Sequence, residues 1–171
     1  MSEVSRRALT AAVSLVLLGI GCSPDPGEIT VDLAGSATAS PQYFHGNCFA
    51  GWSLGVDLRT RETQGVDIFI ATLTYRLSDQ GSGTELSQER LDAEALDSRY
   101  GQRASVLVAR TSRIFRLVAV SSSRPVGPIA VTGTIEGRDE NGQRVITPFQ
   151  LTASLVVNDP GPPAGGACSL P

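Results

Sequence analysis

Apolar and polar residues alternate along most of the chain after residue 28, which is the pattern of β-strands that bury one face. The longest alternating run places apolar side chains at six successive even positions: Cys48, Ala50, Trp52, Leu54, Val56 and Leu58. Small or polar residues fill the odd positions between them, apart from the bulky Phe49. The run predicts a long, half-buried strand with Trp52 in its core.

Further strands are predicted wherever the same alternation, or a short valine-rich apolar run, recurs. These segments are residues 29–33, 66–77, 104–109, 114–120, 129–135 and 145–157. In the second of them alternate residues from Phe69 to Leu77 form an apolar face. Ile68 and Ile70 are also apolar, which predicts either burial on both faces or a β-bulge.

Two turn signals and one helical signal complete the pattern. Asn141-Gly142 favours a tight hairpin, and Pro148 predicts an edge strand or a bulge because proline lacks an N–H donor. Residues 86–96 are rich in strong helix formers, with Ser87 as the predicted cap and Tyr100-Gly101 as the predicted end. We therefore expect one short helix, packed across an end of the sheets.

About seven strands with turn signals at roughly 8–15-residue intervals predict an all-β fold, an immunoglobulin-like β-sandwich, with a closed barrel as the alternative. The antibody pattern of an intersheet disulfide is absent, because Trp52 follows Cys48 on the same strand face. The turn Glu62-Thr63-Gln64-Gly65-Val66 and the hairpin of residues 133–142 resemble those of immunoglobulin-like domains in bacterial envelope lipoproteins. The resemblance covers most of residues 28–157 and implies fold, not function.

The first 21 residues predict a secretory signal peptide. Arg6 and Arg7 form a basic start, and the uncharged stretch from Ala8 to Gly21 is shorter than the roughly 20 residues of a membrane span. The sequence Leu18-Gly19-Ile20-Gly21-Cys22 resembles the lipobox of bacterial lipoproteins, in which the cysteine is lipidated and becomes the N-terminus. The resemblance implies lipid attachment at Cys22; ordinary cleavage near Gly21 is the alternative.

These signals predict four segments: a signal peptide (1–21), a tether (22–27), the β-sandwich (28–157) and a Pro/Gly-rich tail (158–171). A lipidated protein would be held to a membrane of the bacterial cell envelope on its extracytoplasmic side. Ser23 after Cys22 resembles the sorting signal for the outer membrane, if the cell has two membranes. With Cys22 lipidated, Cys48 and Cys168 remain, and export to an oxidising compartment predicts a disulfide between them. Two unpaired thiols are the alternative.

Composition and charge argue against several kinds of site. The formal net charge is −3 and lysine is absent, which disfavours nucleic acid because the phosphate backbone attracts clustered basic residues. His45 is the only histidine and has only Cys48 nearby as a second ligand, so we expect no metal and no cofactor. No GxSxG turn is present, and we expect no catalytic residues and no enzyme activity.

The best candidate for a binding surface is the loop of Tyr43, Phe44 and His45, which places two adjacent aromatic residues between predicted strands. Packing of both aromatic rings beside Trp52 is the alternative. We expect a non-catalytic binding or structural module whose partner is an envelope protein or glycan. An inhibitor of an envelope hydrolase, inserting the Tyr43–Asn47 loop, is one alternative function, and a hydrolase with a carboxylate-based site is another.

Overall fold

The computed structural model describes residues 25–44 and 48–161, without the side chain of Phe44. The signal peptide, Cys22, His45 and Cys168 lie outside these residues. In chain order the elements are β1 (Ile29–Leu33), β2 (Ala37–Phe44), β3 (Cys48–Glu62), β4 (Ile68–Asp79), β5 (Thr84–Asp92), α1 (Ala93–Tyr100), β6 (Val106–Leu107), β7 (Ser112–Ser121), β8 (Ile129–Asp139), β9 (Arg144–Ala153) and β10 (Leu155–Val157).

The strands form two five-stranded sheets that enclose one apolar core. In the first sheet β3 is central, with β7 along one side and β2 and β1 end to end along the other; β10 adds to β2 in parallel. In the second sheet the order is β9, β8, β4, and the far side of β4 carries β5 and β6 end to end. The fold is an all-β sandwich with one short helix.

Eight of the ten strands in the described residues, all except β2 and β5, overlap the seven strand segments that the sequence predicts. Strands β1 and β2 share one side of β3, and β5 and β6 share one side of β4. Strand β10 continues β9 after Ser154 but pairs with the opposite sheet. Strand β10 is therefore a continuation of a predicted strand. Strand β2 was not predicted, and β5 includes residues for which the sequence predicts a helix.

The alternation in β3 is confirmed with one exception. Trp52, Leu54, Val56 and Leu58 are buried, whereas Ala50 is exposed. The pairing of β2 with β3 shifts register between Gln42 and Tyr43, and Gly51 opposite Gln42 has a φ of 141°. This irregularity changes which side chains face the core at the start of β3.

In β4 the structure contains a bulge, which was one of the two predicted outcomes. Ile68 and Ile70 are buried and Phe69 is exposed, but after Ala71 the buried residues are Leu73, Tyr75 and Leu77. The register of β4 against β8 shifts between Ile70 and Thr72. One extra residue thus moves burial from the even to the odd positions.

The predicted helix over residues 86–96 is wrong in its first half. Residues up to Asp92 belong to β5, which pairs with β4, and α1 begins at Ala93 and ends before Gly101 as predicted. Asp92, not Ser87, is the cap, since its carboxylate accepts the Ala95 N–H at 2.8 Å. Pairing with β4 outweighs the helix propensity of the sequence.

The two turn signals near the end of the sandwich are confirmed. Strands β8 and β9 form a hairpin closed around residues 140–143, in which Gly142 has a φ of 79°. Strand β9 is the edge of the second sheet, which accommodates Pro148 opposite Thr134.

Candidate functional site

The sandwich has two ends, which differ in the residues they expose. At one end β3 passes to β4 and β8 passes to β9. Gly27 lies at this end, where its N–H donates to the Asp139 carboxylate at 3.1 Å, and we call it the tether end. We call the distal end the opposite one, at which β2 meets β3, β4 passes to β5, and β7 passes to β8.

Three aromatic rings and one guanidinium form a cluster at the distal end. The ring of Phe49 lies edge-on between Tyr43 and Trp52, with centroid distances of 6.1 and 6.2 Å. The guanidinium of Arg124 lies 5.5 Å from the centroid of the Trp52 ring. Trp52 is 7% exposed and Phe49 is 49% exposed, so the cluster extends from the core to the surface. We call these four residues the distal cluster.

The strand pairing of β2 and β3 brings the cluster together. Tyr43 is directly opposite Phe49 across the two strands, and Trp52 follows on β3 after the irregularity at Gly51. A Cβ on Gly51 would lie 2.7 Å from the Ser121 carbonyl oxygen, so only glycine allows β3 to approach β7 this closely. Arg124 arrives from the segment between β7 and β8.

The predicted binding loop is only partly described. Tyr43 and Phe44 belong to strand β2 instead of a loop, and His45 lies outside the described residues. Tyr43 is half-buried and contacts Phe49. Sequence reasoning missed Phe49 and Arg124 as candidate site residues; the signal for Phe49 was its position as the one bulky side chain on the polar side of an alternating strand.

A groove of about 480 Å³ adjoins the distal cluster at Arg124. The other residues that line it come from the segment after β7 and from the crossing between β9 and β10: Pro125, Val126, Gly127, Pro128, Ser154, Leu155 and Val157. Val126 is 67% exposed, so this lining adds apolar surface next to the aromatic rings.

Of the three cysteines, the structure describes one. Cys48 is the first residue of β3 and is buried, at the same end as the distal cluster. Cys22 and Cys168 lie outside the described residues, so the lipid site and the Cys48–Cys168 disulfide stay predictions.

Three buried carboxylates hold loops together. Asp79 accepts hydrogen bonds from the N–H groups of Gly81, Val126 and Gly127 and from the Ser82 hydroxyl, at 2.9–3.0 Å. Burial alone would raise the pKa of Asp79, but these donors outweigh it and lower the pKa below its usual value. The bonds connect the turn after β4 to the segment before β8.

Glu62 and Asp139 do the same at the tether end. Glu62 accepts from the N–H groups of Gln64, Gly65 and Arg110, and Asp139 accepts from those of Gly27, Asn141 and Gln143. Burial alone would raise the pKa of both carboxylates, but the main-chain donors outweigh it, and both pKa values are lowered. Because their oxygens accept these hydrogen bonds, both carboxylates are held in the ionised form. A general acid of a hydrolase needs the opposite, a carboxyl group with a raised pKa.

One further titratable pair lies between the second sheet and α1. The Tyr75 hydroxyl donates to Glu89 at 2.6 Å, and Arg99 of α1 forms an ion pair with the same carboxylate. Burial raises the pKa of Tyr75, and the bond to Glu89 raises it further. The arrangement fixes α1 against β5.

The described residues contain neither a metal-binding cluster nor a membrane-spanning helix. No group of three or more His, Cys, Asp or Glu side chains in this part of the chain is arranged to hold a metal ion. Within the same residues, no helix has the length and apolar character needed to cross a membrane.

Comparison with known proteins gave only distant similarity. No protein-family model and no curated protein matches the sequence. A solved structure from Bordetella pertussis, provisionally named ApaA, is similar with a TM-score of 0.49 and 14% identity, over 76% of this chain and 95% of that one. A second structure, the structural-genomics target SoR45, has a TM-score of 0.41 and 11% identity, over 84% and 93% of the two chains. Likeness at this level has no bearing on function.

Proposed function

We propose that this protein is a lipid-anchored, extracytoplasmic module of the bacterial cell envelope that binds an envelope protein or glycan without catalysis. The observation that carries the proposal is the position of the distal cluster, at the end of the sandwich opposite Gly27. An anchor at Cys22 would leave this cluster facing away from the membrane.

The dimensions of the chain support this orientation. Gly27 is bound to Asp139, so only four residues lie between it and Cys22, and the five residue steps from Cys22 to Gly27 span at most about 18 Å. The tether end would therefore lie close to the lipid headgroups. Strand β3 has 15 residues and connects the distal end to the tether end, which at about 3.3 Å per residue gives a length of roughly 50 Å. The distal cluster would meet partners well outside the bilayer.

The chemistry of the cluster suits binding. Aromatic and arginine side chains contribute most of the binding energy at many protein interfaces, because they offer a large, rigid contact area. The Phe49 ring is half-exposed yet fixed by edge contacts with Tyr43 and Trp52, so little side-chain freedom is lost on binding. Arg124 adds a charged donor beside the rings.

A matched pair of phenylalanines tests the proposal. Phe49 at the distal end and Phe69 at the tether end are each 49% exposed. A photo-crosslinking phenylalanine analogue is placed at either position of the full-length protein in its own cells, and adducts are identified by mass spectrometry. We expect a discrete envelope adduct from position 49, which Arg124→Ala or Tyr43→Ala weakens, and none from position 69.

Two results would overturn the proposal. A discrete adduct from position 69 alone would place the partner at the tether end, and the absence of any adduct from position 49 in cells that express the protein normally would leave the distal cluster without a binding role. An adduct with an envelope hydrolase whose activity the purified protein blocks would identify the inhibitor function instead.

A further inference from the structure

Strand β7 leaves one side of the first sheet open. In the described residues it pairs with β3 on one side only, over Ser112–Ser121. Each residue of a strand directs its N–H and C=O to the same side, and successive residues alternate sides. The Arg113 carbonyl accepts the Thr60 hydroxyl of β3, whereas the Arg116 carbonyl accepts the Tyr100 hydroxyl of α1. The even residues of β7 therefore direct their main-chain groups to the open side.

The same even residues present apolar side chains to solvent. Ile114, Val118 and Val120 are 52%, 43% and 63% exposed, and they lie on the outer face of the first sheet. Tyr100 covers the edge near Arg116, and its ring packs edge-on against Phe115 at 5.2 Å. The part of β7 beyond Arg116 has no such cover among the described residues.

The other sheet edges carry features that oppose pairing with another strand. Strands β2 and β9 contain Pro41 and Pro148, and β1, β6 and β10 are only five, two and three residues long. Strand β5 carries the charged residues Glu85, Glu89 and Arg90 and passes directly into α1. Residues 117–121 of β7 contain no proline, no charge and no bulge, so this segment, which we call the open edge, is the least protected.

We infer that the open edge binds an extended segment of a partner protein, which adds to the first sheet as a further strand. Main-chain N–H and C=O groups would supply the hydrogen bonds, and alternate apolar side chains of the segment would cover Val118 and Val120. A carboxylate on the segment would meet Arg116, whose side chain is 60% exposed and is held only by an exposed 3.6 Å ion pair with Asp57. The partner segment is therefore β-branched or apolar at alternate positions and acidic at one end.

A second copy of this chain is the main competitor for the open edge. Antiparallel pairing of two β7 strands about Ala119 would place Val118 of each copy opposite Val120 of the other. Such pairing turns the two copies end to end, so their tether ends point in opposite directions. Copies anchored in one membrane cannot adopt it, and this exclusion rests on the proposed anchor at Cys22.

Amide hydrogen exchange, measured by NMR for each residue, tests the inference. The protein used is residues 22–171 without the lipid. The probe is a short acetylated peptide that alternates valine with threonine and ends on an aspartate. We expect the Val118 and Val120 N–H groups to exchange quickly in the free protein, and to slow by about fivefold or more with saturating peptide. A peptide of the same sequence, N-methylated at alternate residues to remove its ladder donors, is expected to have no effect.

Variants separate this edge from the rest of the molecule. Val118→Pro removes an outward N–H without breaking the ladder to β3, and Val118→Lys places a charge on the edge; both are expected to abolish protection. Val156→Lys is the control, since Val156 is 45% exposed at the other side of the same sheet.

Three results would overturn the inference. They are unchanged exchange at Val118 and Val120 with peptide, equal protection by the N-methylated peptide, and a free protein that sediments as a dimer with these amides already protected. The last would assign the open edge to a second copy. None of them bears on the crosslinking at Phe49.

Discussion

At the scale of single residues, the buried carboxylates are the most informative feature of the molecule. Glu62, Asp79 and Asp139 are 1–2% exposed, and each accepts at least three hydrogen bonds, mostly from main-chain N–H groups of loops. A buried N–H that loses its acceptor costs free energy, because water does not replace the bond. These side chains therefore determine loop geometry at both ends of the sandwich.

Asp79→Asn is expected to lower the free energy of unfolding by about 1–3 kcal/mol, because the amide nitrogen cannot accept from the N–H groups and hydroxyl around it. Asp32→Asn is the control, since Asp32 is exposed and its ion pair with Arg59 is worth about 0.5 kcal/mol or less. Urea unfolding of both variants checks the prediction. Equal losses in the two variants would contradict it.

Stability is expected to fall in acid. The pKa values of Glu62, Asp79 and Asp139 are lower in the folded than in the unfolded chain, so their contribution is fully present above the unfolded values of 3.8 and 4.5. It is lost as the pH falls through the lower folded values, where protons bind the unfolded state first. Urea unfolding between pH 7 and pH 2 should show a decline that begins near pH 5 and is shallower in Asp79→Asn. Constant or rising stability in acid would contradict this.

Residue-level features of this kind are poorly predictable from the sequence. Asp139 and Asn141-Gly142 predict a turn from local sequence alone, and the structure contains the hairpin of β8 and β9 at this place. Nothing local marks Asp79 as a buried acceptor, since two of its donors, Val126 and Gly127, are 47 and 48 residues away. Phe49 likewise becomes a site residue only through its cross-strand neighbour Tyr43 and the irregularity at Gly51.

At the scale of elements, the period-two pattern predicted strand positions well and failed where two preferences compete. Residues 86–92 favour a helix by composition but pair with β4 along the edge of the second sheet. The ladder bonds and the burial of Leu91 exceed the small differences in helix propensity. Helix α1 begins only after Asp92, the last residue of β5 that pairs with β4.

The position of the helix cap gives an element-scale prediction. Asp92→Ala is expected to destabilise the protein by about 1 kcal/mol, because the Ala95 N–H loses its acceptor. Ser87→Ala is the matched control and is expected to change stability by less than about 0.5 kcal/mol, since Ser87 lies within β5. Thermal unfolding of the two variants distinguishes them. A larger loss of stability in Ser87→Ala than in Asp92→Ala would contradict the cap at Asp92 and would support the longer helix that the sequence predicts.

At the scale of the whole molecule, the sandwich places the entry of the chain and the distal cluster at opposite ends. Residues 25–28 enter at the tether end beside Asp139, and the distal cluster lies at the other end of the strands. Fold class, the seven strand positions and the edge at Pro148 follow from alternation and turn chemistry. The distal cluster does not, because it depends on which strand ends meet, and that is decided by pairing between distant segments.

The anchor at Cys22 gives the two ends their proposed meaning, so it is the claim to test first. The intact mass of the native protein, extracted in detergent and measured before and after reduction, tests it directly. We expect an N-terminus at Cys22 that carries a diacylglycerol, and a gain of two hydrogens on reduction as the Cys48–Cys168 disulfide opens. An unlipidated chain beginning near Cys22, with no change on reduction, would contradict both the anchor and the disulfide.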